Sequence, residues 1–380
     1  MSQRTSRLDV IKTDPLQNPA NSSRAVRWAS TMDGHPGRVR HAHREGSNRL
    51  AANDDQAIHA DGRSVLRQER EDLEHARLAP GATRASGAGQ RVRAEEADPF
   101  RTCFERDRDR ILHAEAFRRL AGKTQVFVFP EDHQRTRLTH ALEVSQVAVA
   151  IASAVGANVA LTEAIALGHD CGHGPGGHAS EDAFSPYVEG GYDHAVWGAD
   201  VVLQPLNLCE ETLDGIRNHS WSRPLPSTPE GEIVSWADRI AYVCHDMEDA
   251  ALVGIVDDAM LPTVVVERCG NRRSARLGAF ISGVVEAVVQ TGEVGMTEPL
   301  AEALAEFRAF NYEHIYMRPD SLKQSESVIR VLRALVEHYL AEGSTPEEAV
   351  GWVGGMTDRY AFGQAQVLLD WPSSELPVGI

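Results

Sequence analysis

Residues 168–178 read GHDCGHGPGGH, three histidines and an aspartate set among five glycines and a proline. Glycine costs too much backbone entropy, and proline lacks the amide, for such a run to lie inside a helix or a strand. The segment must turn sharply, and it gathers imidazoles where it turns. On its N-terminal side Leu161, Ile165 and Leu167 continue at helical spacing straight into it, with Thr162 placed to cap that helix. Upstream, Leu138, Leu142, Val147, Ile151 and Val155 make one face of another helix, which Gly156 is placed to stop. Downstream a third helix begins near Glu232 and turns Ile233, Ala237, Ile240, Ala241, Cys244 and Met247 inward. Further helical patterns cover about 276–291, 297–309, 322–342 and 346–367, and only QVFVF at 125–129 and TVVVE at 263–267 read as strands. The fold expected is mostly α, with at most short strands and no internal repeat.

The chain has 380 residues, 42% hydrophobic and 24% charged, enough for one large domain or two ordinary ones with a sizeable core. No apolar run of spanning length stands out, and the start, MSQRTSRLDVIKTD, lacks the apolar segment of a secretory signal, so a cytoplasmic protein without a membrane partner is expected. The five cysteines, at 103, 171, 209, 244 and 269, form no C-x-x-C pair and suit a reducing compartment. Residues 1–62 are expected as a disordered basic extension, poor in apolar periodicity. Residues 63–97 are expected as a helical arm, with Leu66, Leu73 and Leu78 among charges, followed by the small-residue linker GATRASGAGQ. Residues 98–380 form the folded domain, with its chemistry in about 135–250 and C-terminal helices after it. The run RDRDR at 106–110 reads as a solvated helix face laced with ion pairs.

Charge is uneven. Residues 1–50 hold nine Lys/Arg against four Asp/Glu, so of the net −17 the remainder carries −22. A body that acidic repels nucleotides and nucleic acid at long range, and any anionic substrate must be met by local Arg, Lys or a metal. The basic start, with Trp28 as its only aromatic through residue 50, is a weak nucleic-acid signal, and no such partner is expected.

On the helical reading His140 lies within the first helix, His169 and Asp170 end the second, and Asp238 lies within the third. Two imidazoles and two carboxylates make a nitrogen and oxygen set suited to Mn, Fe, Mg, Zn or Ni, with positions left for water and substrate. A lone histidine in an apolar helix is usually a hydrogen-bonded core residue, so the ordered set on three segments carries the inference, not any one member. Arg137 sits three residues before His140, hence on its side of the helix, where a guanidinium can fork onto phosphate. Asp238, Tyr242 and Asp246 fall at i, i+4 and i+8, a polar stripe that Arg239 flanks. Glu181 follows His178 at i+3, which puts a carboxylate beside that imidazole.

This ordered set resembles the HD-domain phosphohydrolase superfamily. FERDRDRILHAEAFRRLAGKTQVFVFPEDHQRTRLTHALEVSQ, LTEAIALGHDCGHGPGGHASEDAF, GGYDHA and VSWADRIAYVCHDMEDA look, more closely, like the dGTPase-like deoxynucleoside triphosphate triphosphohydrolases. The resemblance covers about residues 66–320, and the blocks at 104–146 and 161–184 are its most specific part. It implies an HD-domain helical bundle with additional helices, and a divalent metal, Mn2+ or Mg2+ ahead of Fe, Ni or Zn, on His140, His169, Asp170 and Asp238. It implies that His178 and Glu181 act as a catalytic pair and that His194 is the histidine after the paired glycines, while the glycines after the HD pair let His173 and His178 turn back toward the metal. Water would attack the α-phosphorus of a dNTP to give a deoxynucleoside and tripolyphosphate, with His178 or His194 protonating the 5′-oxygen.

Resemblance to the SAM-and-HD-domain dNTP hydrolases further implies that Gln125 and Asp246 address the sugar 3′-hydroxyl, with Tyr242 where a 2′-hydroxyl would go; Arg137 and Arg239, by their helix positions, are the cations expected to meet the phosphates. A homo-oligomer and an activating dNTP are the family's expected partners. Gly176 and Gly177 stand where the family usually has a bulkier residue, so a looser loop is expected; Val196-Trp197 also replaces residues that are usually polar. The alternatives are an HD-domain hydrolase acting on another nucleotide, and a nucleotide-sensing module without turnover.

Overall fold

The structure, a computed structural model of the chain, describes residues 23–28 and 62–379. Contacts divide the chain into Met1–Ser64 and Val65–Ile380. Of the first unit residues 23–28 form a helix, α1, with Arg24 over the Trp28 ring at 4.9 Å. The rest of the expected disordered extension, over 1–62, lies outside the described residues.

The second unit is helical. It runs through α2 (Arg67–Arg77), α3 (Cys103–His113), α4 (Glu115–Arg119), α5 (Arg137–Val155), α6 (Val159–Gly168), α7 (Ala179–Phe184), α8 (His194–Trp197) and α9 (Glu210–Arg217). It continues with α10 (Pro229–Leu252), α11 (Thr263–Cys269), α12 (Arg273–Thr291), α13 (Glu298–Asn311), α14 (Pro319–Ala341), α15 (Pro346–Gly354) and α16 (Asp358–Leu369). No strand occurs among the described residues, only an isolated bridge between Thr124 and Thr136. QVFVF is an irregular segment that buries Phe127 and Val128 with no neighbouring strand to pair with. TVVVE, read as a strand from its β-branched run, is the start of α11. Pro262 leads into it, and its Val265 is buried where α11 packs on α12 and α13, so packing overrides propensity.

The core is α5 packed on α6, α10 and α12, with α3 and α9 against α6. By length and composition α5 is apolar enough to cross a membrane, which amends the expectation of no such run. It buries Arg137 and His140 along with Ala141, Val144 and Ile151, as a central helix of this unit. Gly156 ends it in the left-handed conformation, φ 74°, as expected. Leu142 is nevertheless 47% exposed, so the apolar face is narrower than the pattern suggested. Asn158, not Thr162, caps α6: its side chain accepts from the amides of Ala160 and Leu161, while the Thr162 hydroxyl donates to the Asn158 carbonyl. Thr228 caps α10, which starts at Pro229, ahead of Glu232. The pattern over 346–367 is two helices, broken after Gly354 where two glycines weaken the helix.

A second apolar cluster, with Phe184, Val328, Leu332 and Phe362, joins α7 to α14, α15 and α16. The 168–178 loop touches both clusters: Gly168 faces Ile216 and Ile111 of the first, and Gly176 faces Val328 of the second.

Two further expectations change. The small-residue linker is pinned to the core, because Thr83 donates to Glu230, Gly89 to Glu211 and Arg91 to the Asn207 carbonyl. In RDRDR, Arg106 and Arg110 do pair on the outside with Glu95, but Asp107 is buried. It takes Arg91 at 2.6 Å and accepts from the Cys209 amide and the Thr212 hydroxyl, tying α3 to α9.

Candidate active site

Helix α5 presents His140, the end of α6 presents His169 and Asp170, and α10 presents Asp238. His140 Nε2 lies 3.0 Å from Asp238 Oδ1 and 3.9 Å from Asp170 Oδ2. His169 Nε2 lies 3.4 Å from Asp170 Oδ2 and 3.7 Å from Asp238 Oδ1. Donor atoms bound about 2.0–2.2 Å from one ion sit roughly 3–3.6 Å apart; two of these spacings, 3.0 and 3.4 Å, fall in that range, and 3.7 and 3.9 Å lie just beyond it. His169 Nδ1 is 2.7 Å from the Ala166 carbonyl, which can only accept, so that nitrogen carries the proton and Nε2 is left as a ligand. His169 Nε2 is buried without a hydrogen-bond partner. The chain thus holds a His/Asp cluster able to bind a divalent metal.

The electrostatics agree. Burial works against charge on His169, yet Asp170 and Asp238 lift its pKa to about 9. Burial would raise the Asp170 carboxyl, but Arg137, His169 and His173 hold it well below the usual range. The place between the two carboxylates attracts positive charge.

A second group of imidazoles adjoins the first. The loop brings His173 Nε2 to 3.2 Å from Asp170 Oδ1, and His173 stacks on His194 with ring centroids 3.7 Å apart. This needs a chain that folds tightly on itself. Gly176 and Gly177 adopt φ 73° and 64°, and a side chain at Gly172 would run into the His194 carbonyl. Glu181 lies beside His178, within 4.8 Å between their ligand atoms, and also takes the Nδ1–H of His194, which opens α8. Burial would raise Glu181, but that bond holds its pKa down at about 2. His178 lies edge-on to both, its centroid 5.0 Å from His173 and 6.0 Å from His194.

Both groups open on a cavity of about 460 Å³. Gln125, Arg137, Arg239, Tyr242 and Asp246 line it too, so the structure brings every sequence-predicted residue except His169 and Glu181 onto its wall, and those two stand directly behind it. Arg137 spends one nitrogen on Asp170 at 2.8 Å and keeps Nε and the other terminal nitrogen buried and unpaired. Gln125 Oε1 and Asp246 Oδ1 are likewise buried without partners. A turn at Tyr312–Tyr316 after α13 carries the Tyr316 hydroxyl to Asp246 Oδ2 at 2.5 Å. Burial, only partly offset by that bond, raises the Asp246 pKa to about 7.

Several cavity residues escape the sequence reading. His219 donates Nδ1–H to the Ile216 carbonyl at 2.8 Å, the same i−3 arrangement as His169, and its Nε2 is 3.3 Å from that of His194. A histidine just past a helix end is the only local signal for it. Arg308, which donates to the Tyr242 hydroxyl at 3.1 Å, and Trp221 come from segments with no motif.

Comparison with known proteins places this geometry. A family model described as the HD domain matches residues 137–243, a span that includes all four metal-set residues. A deoxyguanosinetriphosphate triphosphohydrolase-like protein of Caldanaerobacter subterraneus subsp. tengcongensis is 40% identical over 318 residues, covering 78% of this chain and 94% of that protein. One from Clostridium perfringens is 36% identical over 324 residues, 78% of this chain and 95% of its own. One from Desulfatibacillum aliphaticivorans is 35% identical over 341 residues, 80% and 97%.

Proposed function

The chain belongs to the HD-domain family, among its deoxyguanosinetriphosphate triphosphohydrolase-like members, and from that premise we propose that it hydrolyses deoxynucleoside triphosphates to a deoxynucleoside and tripolyphosphate. One observation carries the reading beyond the family. A single cavity has His140, Asp170 and Asp238 on its wall with His169 behind them, and Arg137, Arg239 and Arg308 face the same space, the first two with unpaired nitrogens. A site that gathers a cation-binding set and free guanidiniums suits a polyphosphate ester, in a body whose net charge would otherwise repel one.

A divalent ion on the four ligands, Mn2+ or Mg2+ as first choice, supplies Lewis-acid polarisation of a phosphoryl oxygen and lowers the pKa of water. The protein's own groups do the rest. Arg137 offers Nε and its free terminal nitrogen to phosphate oxygens, while its bond to Asp170 fixes the plane of the guanidinium. The leaving group is the 5′-oxygen of a sugar, a poor one, and needs a proton. We assign that donation to His194, which alone of the cavity imidazoles has a carboxylate on its far nitrogen to stabilise its cationic form, with His178 beside it. Gln125 and Asp246 hold the 3′-hydroxyl, and Tyr242 closes the space at C2′. A homo-oligomer with an activating dNTP is part of the same reading.

The test is product identity. The full chain, supplied with Mn2+ or Mg2+, is incubated with each dNTP singly and mixed, and the products are separated. Tripolyphosphate and deoxynucleoside are expected in equal amounts. Pyrophosphate with a monophosphate, or turnover confined to a cyclic nucleotide or an alarmone, replaces this assignment with another HD-domain hydrolase.

A further inference from the structure

Arg239 follows the ligand Asp238 on α10, and its guanidinium carbon lies 3.4 Å from the centroid of the Trp221 ring. Trp221 sits in the 218–228 connection, 46% exposed, and packs edge-on against Trp236 at 4.8 Å. Both Trp221 and Arg239 line the cavity. Among the described residues no carboxylate forms an ion pair with Arg239, and its Nε is buried without a hydrogen-bond partner. That is unusual company for this chain, where Asp and Glu outnumber Lys and Arg by 55 to 38. Arg135, by contrast, is claimed by Glu143, Glu248 and Asp249 together.

The difference is functional in kind. A carboxylate partner would occupy the donor fork of a guanidinium and cancel its charge. An aromatic face attracts the cation through the ring quadrupole and leaves all five N–H groups, which point outward in the guanidinium plane, free for another acceptor. We propose that Trp221 is a positioning residue, holding Arg239 flat on its ring so that the free donor edge grips the oxyanions of the substrate's polyphosphate. The inference rests on the reading of a triphosphate substrate. It adds the element that orients the cation toward the anionic tail without neutralising it.

The experiment uses the full-length protein with Mn2+ and two calorimetric probes, inorganic tripolyphosphate and deoxyguanosine. Trp221→Leu keeps an apolar side chain but removes the ring and its quadrupole, and Trp221→Phe keeps an aromatic face. Trp221→Leu is expected to weaken tripolyphosphate roughly threefold to thirtyfold, and Trp221→Phe by no more than about threefold. Deoxyguanosine affinity should stay unchanged, and with dGTP the loss should appear in KM more than in kcat. In an Arg239→Gln background the further change Trp221→Leu should cost nothing, since the two act as a unit. Equal tripolyphosphate affinity in wild type and Trp221→Leu overturns the proposal, as does a wild type that does not bind tripolyphosphate. So does a loss that falls on deoxyguanosine or persists without Arg239, which would make Trp221 a stacking surface for the base. A wild type that binds tripolyphosphate but releases none from any dNTP overturns the hydrolase assignment alone.

Discussion

At the His140 end of the cavity the charges answer one another: Asp170 has Arg137 and the His173 ring, Asp238 has His140, and Glu181 has His194. At the Arg239 end they do not, for Arg239 lies on Trp221 and, among the described residues, Arg308 pairs with no carboxylate and donates to the Tyr242 hydroxyl. The first end is buried and turns the Asp170 and Asp238 carboxylates toward the His140 and His169 rings, a place for a cation. The second is more open and presents protons without lone pairs, a place for an anion. Burial of unmatched charge is expensive, so each end makes sense only with its ligand in place. The sharpest way to break this contrast is to remove a carboxylate from the first end. Asp238→Ala should lose bound metal, read by elemental analysis, and bring turnover to background, beyond the hundredfold to thousandfold typical of one lost electrostatic contact. Its helical circular-dichroism signal should remain. Full turnover in that variant would remove Asp238 from the site.

One step down in size is the proton on His194, beside the first end. His194→Ala should retain metal and lower kcat by about a hundredfold to ten-thousandfold, the usual range for general acid catalysis. Glu181→Gln should fall between that variant and wild type, because an amide still accepts the Nδ1–H but no longer stabilises the cationic ring. A His194→Ala enzyme that keeps wild-type kcat would pass the proton to His178.

The contrast also separates what the sequence discloses from what it hides. His140, His169, Asp170 and Asp238 are legible because each sits at a fixed place on a helix whose period can be counted. At the other end Arg239 is legible beside Asp238, but Trp221 and Arg308 are not: they reach the cavity by tertiary packing, and nothing in their neighbours marks them. His219 is hidden for the same reason, although its bond to Ile216 repeats that of His169 to Ala166. The i+3 spacing points Glu181 to His178, and the two do lie together, but the spacing says nothing of His194, which the chain reversal at 190–193 delivers to the same carboxylate. QVFVF and TVVVE were misread because β-branched and aromatic runs describe what a segment buries, not what it pairs with.

The wall joining the two ends offers a smaller effect. Tyr242 is tied to Arg308 through its hydroxyl, and a ribonucleotide would press its 2′-hydroxyl onto the ring without a partner. An unpaired buried hydroxyl costs about 1–3 kcal/mol, roughly tenfold to a hundredfold in preference for deoxy substrates. Tyr242→Ala should erase most of that preference, measured as the ratio of kcat/KM for dGTP and GTP. A dideoxy analogue should do worse than dGTP with both proteins, since it leaves Gln125 and Asp246 unanswered. Equal rates on GTP and dGTP by the wild type would take Tyr242 out of the sugar pocket.

The smallest effect concerns what holds the loop beneath both ends. The glycines at 176 and 177 suggested a loose loop, and the structure pins it from behind. Lys123 Nζ donates to the carbonyls of His173 and Gly354, at 2.5 and 2.9 Å, and Asp358 accepts from the Gly176 amide and the Thr124 hydroxyl. The C-terminal helices therefore seat the loop. Burial lowers the Lys123 pKa to about 8 from the 10.5 it has unfolded. Below pH 8 both states are protonated, and the fold bears the full cost of burying the ammonium. Between about 8 and 10.5 the unfolded chain binds the extra proton, so this residue's contribution to stability rises with pH across that window and is flat on either side. The neutral amine still has two N–H groups for the two carbonyls, so the clamp survives the titration. Lys123→Met strands both carbonyls and should cost about 1–3 kcal/mol at pH 7, with kcat lowered only a few-fold. The gap in melting temperature between wild type and Lys123→Met should then widen from pH 8 to pH 10. A gap that stays constant with pH would mean that the lysine is not held as a buried charge, and no gap at any pH would leave the seat of the loop to Asp358.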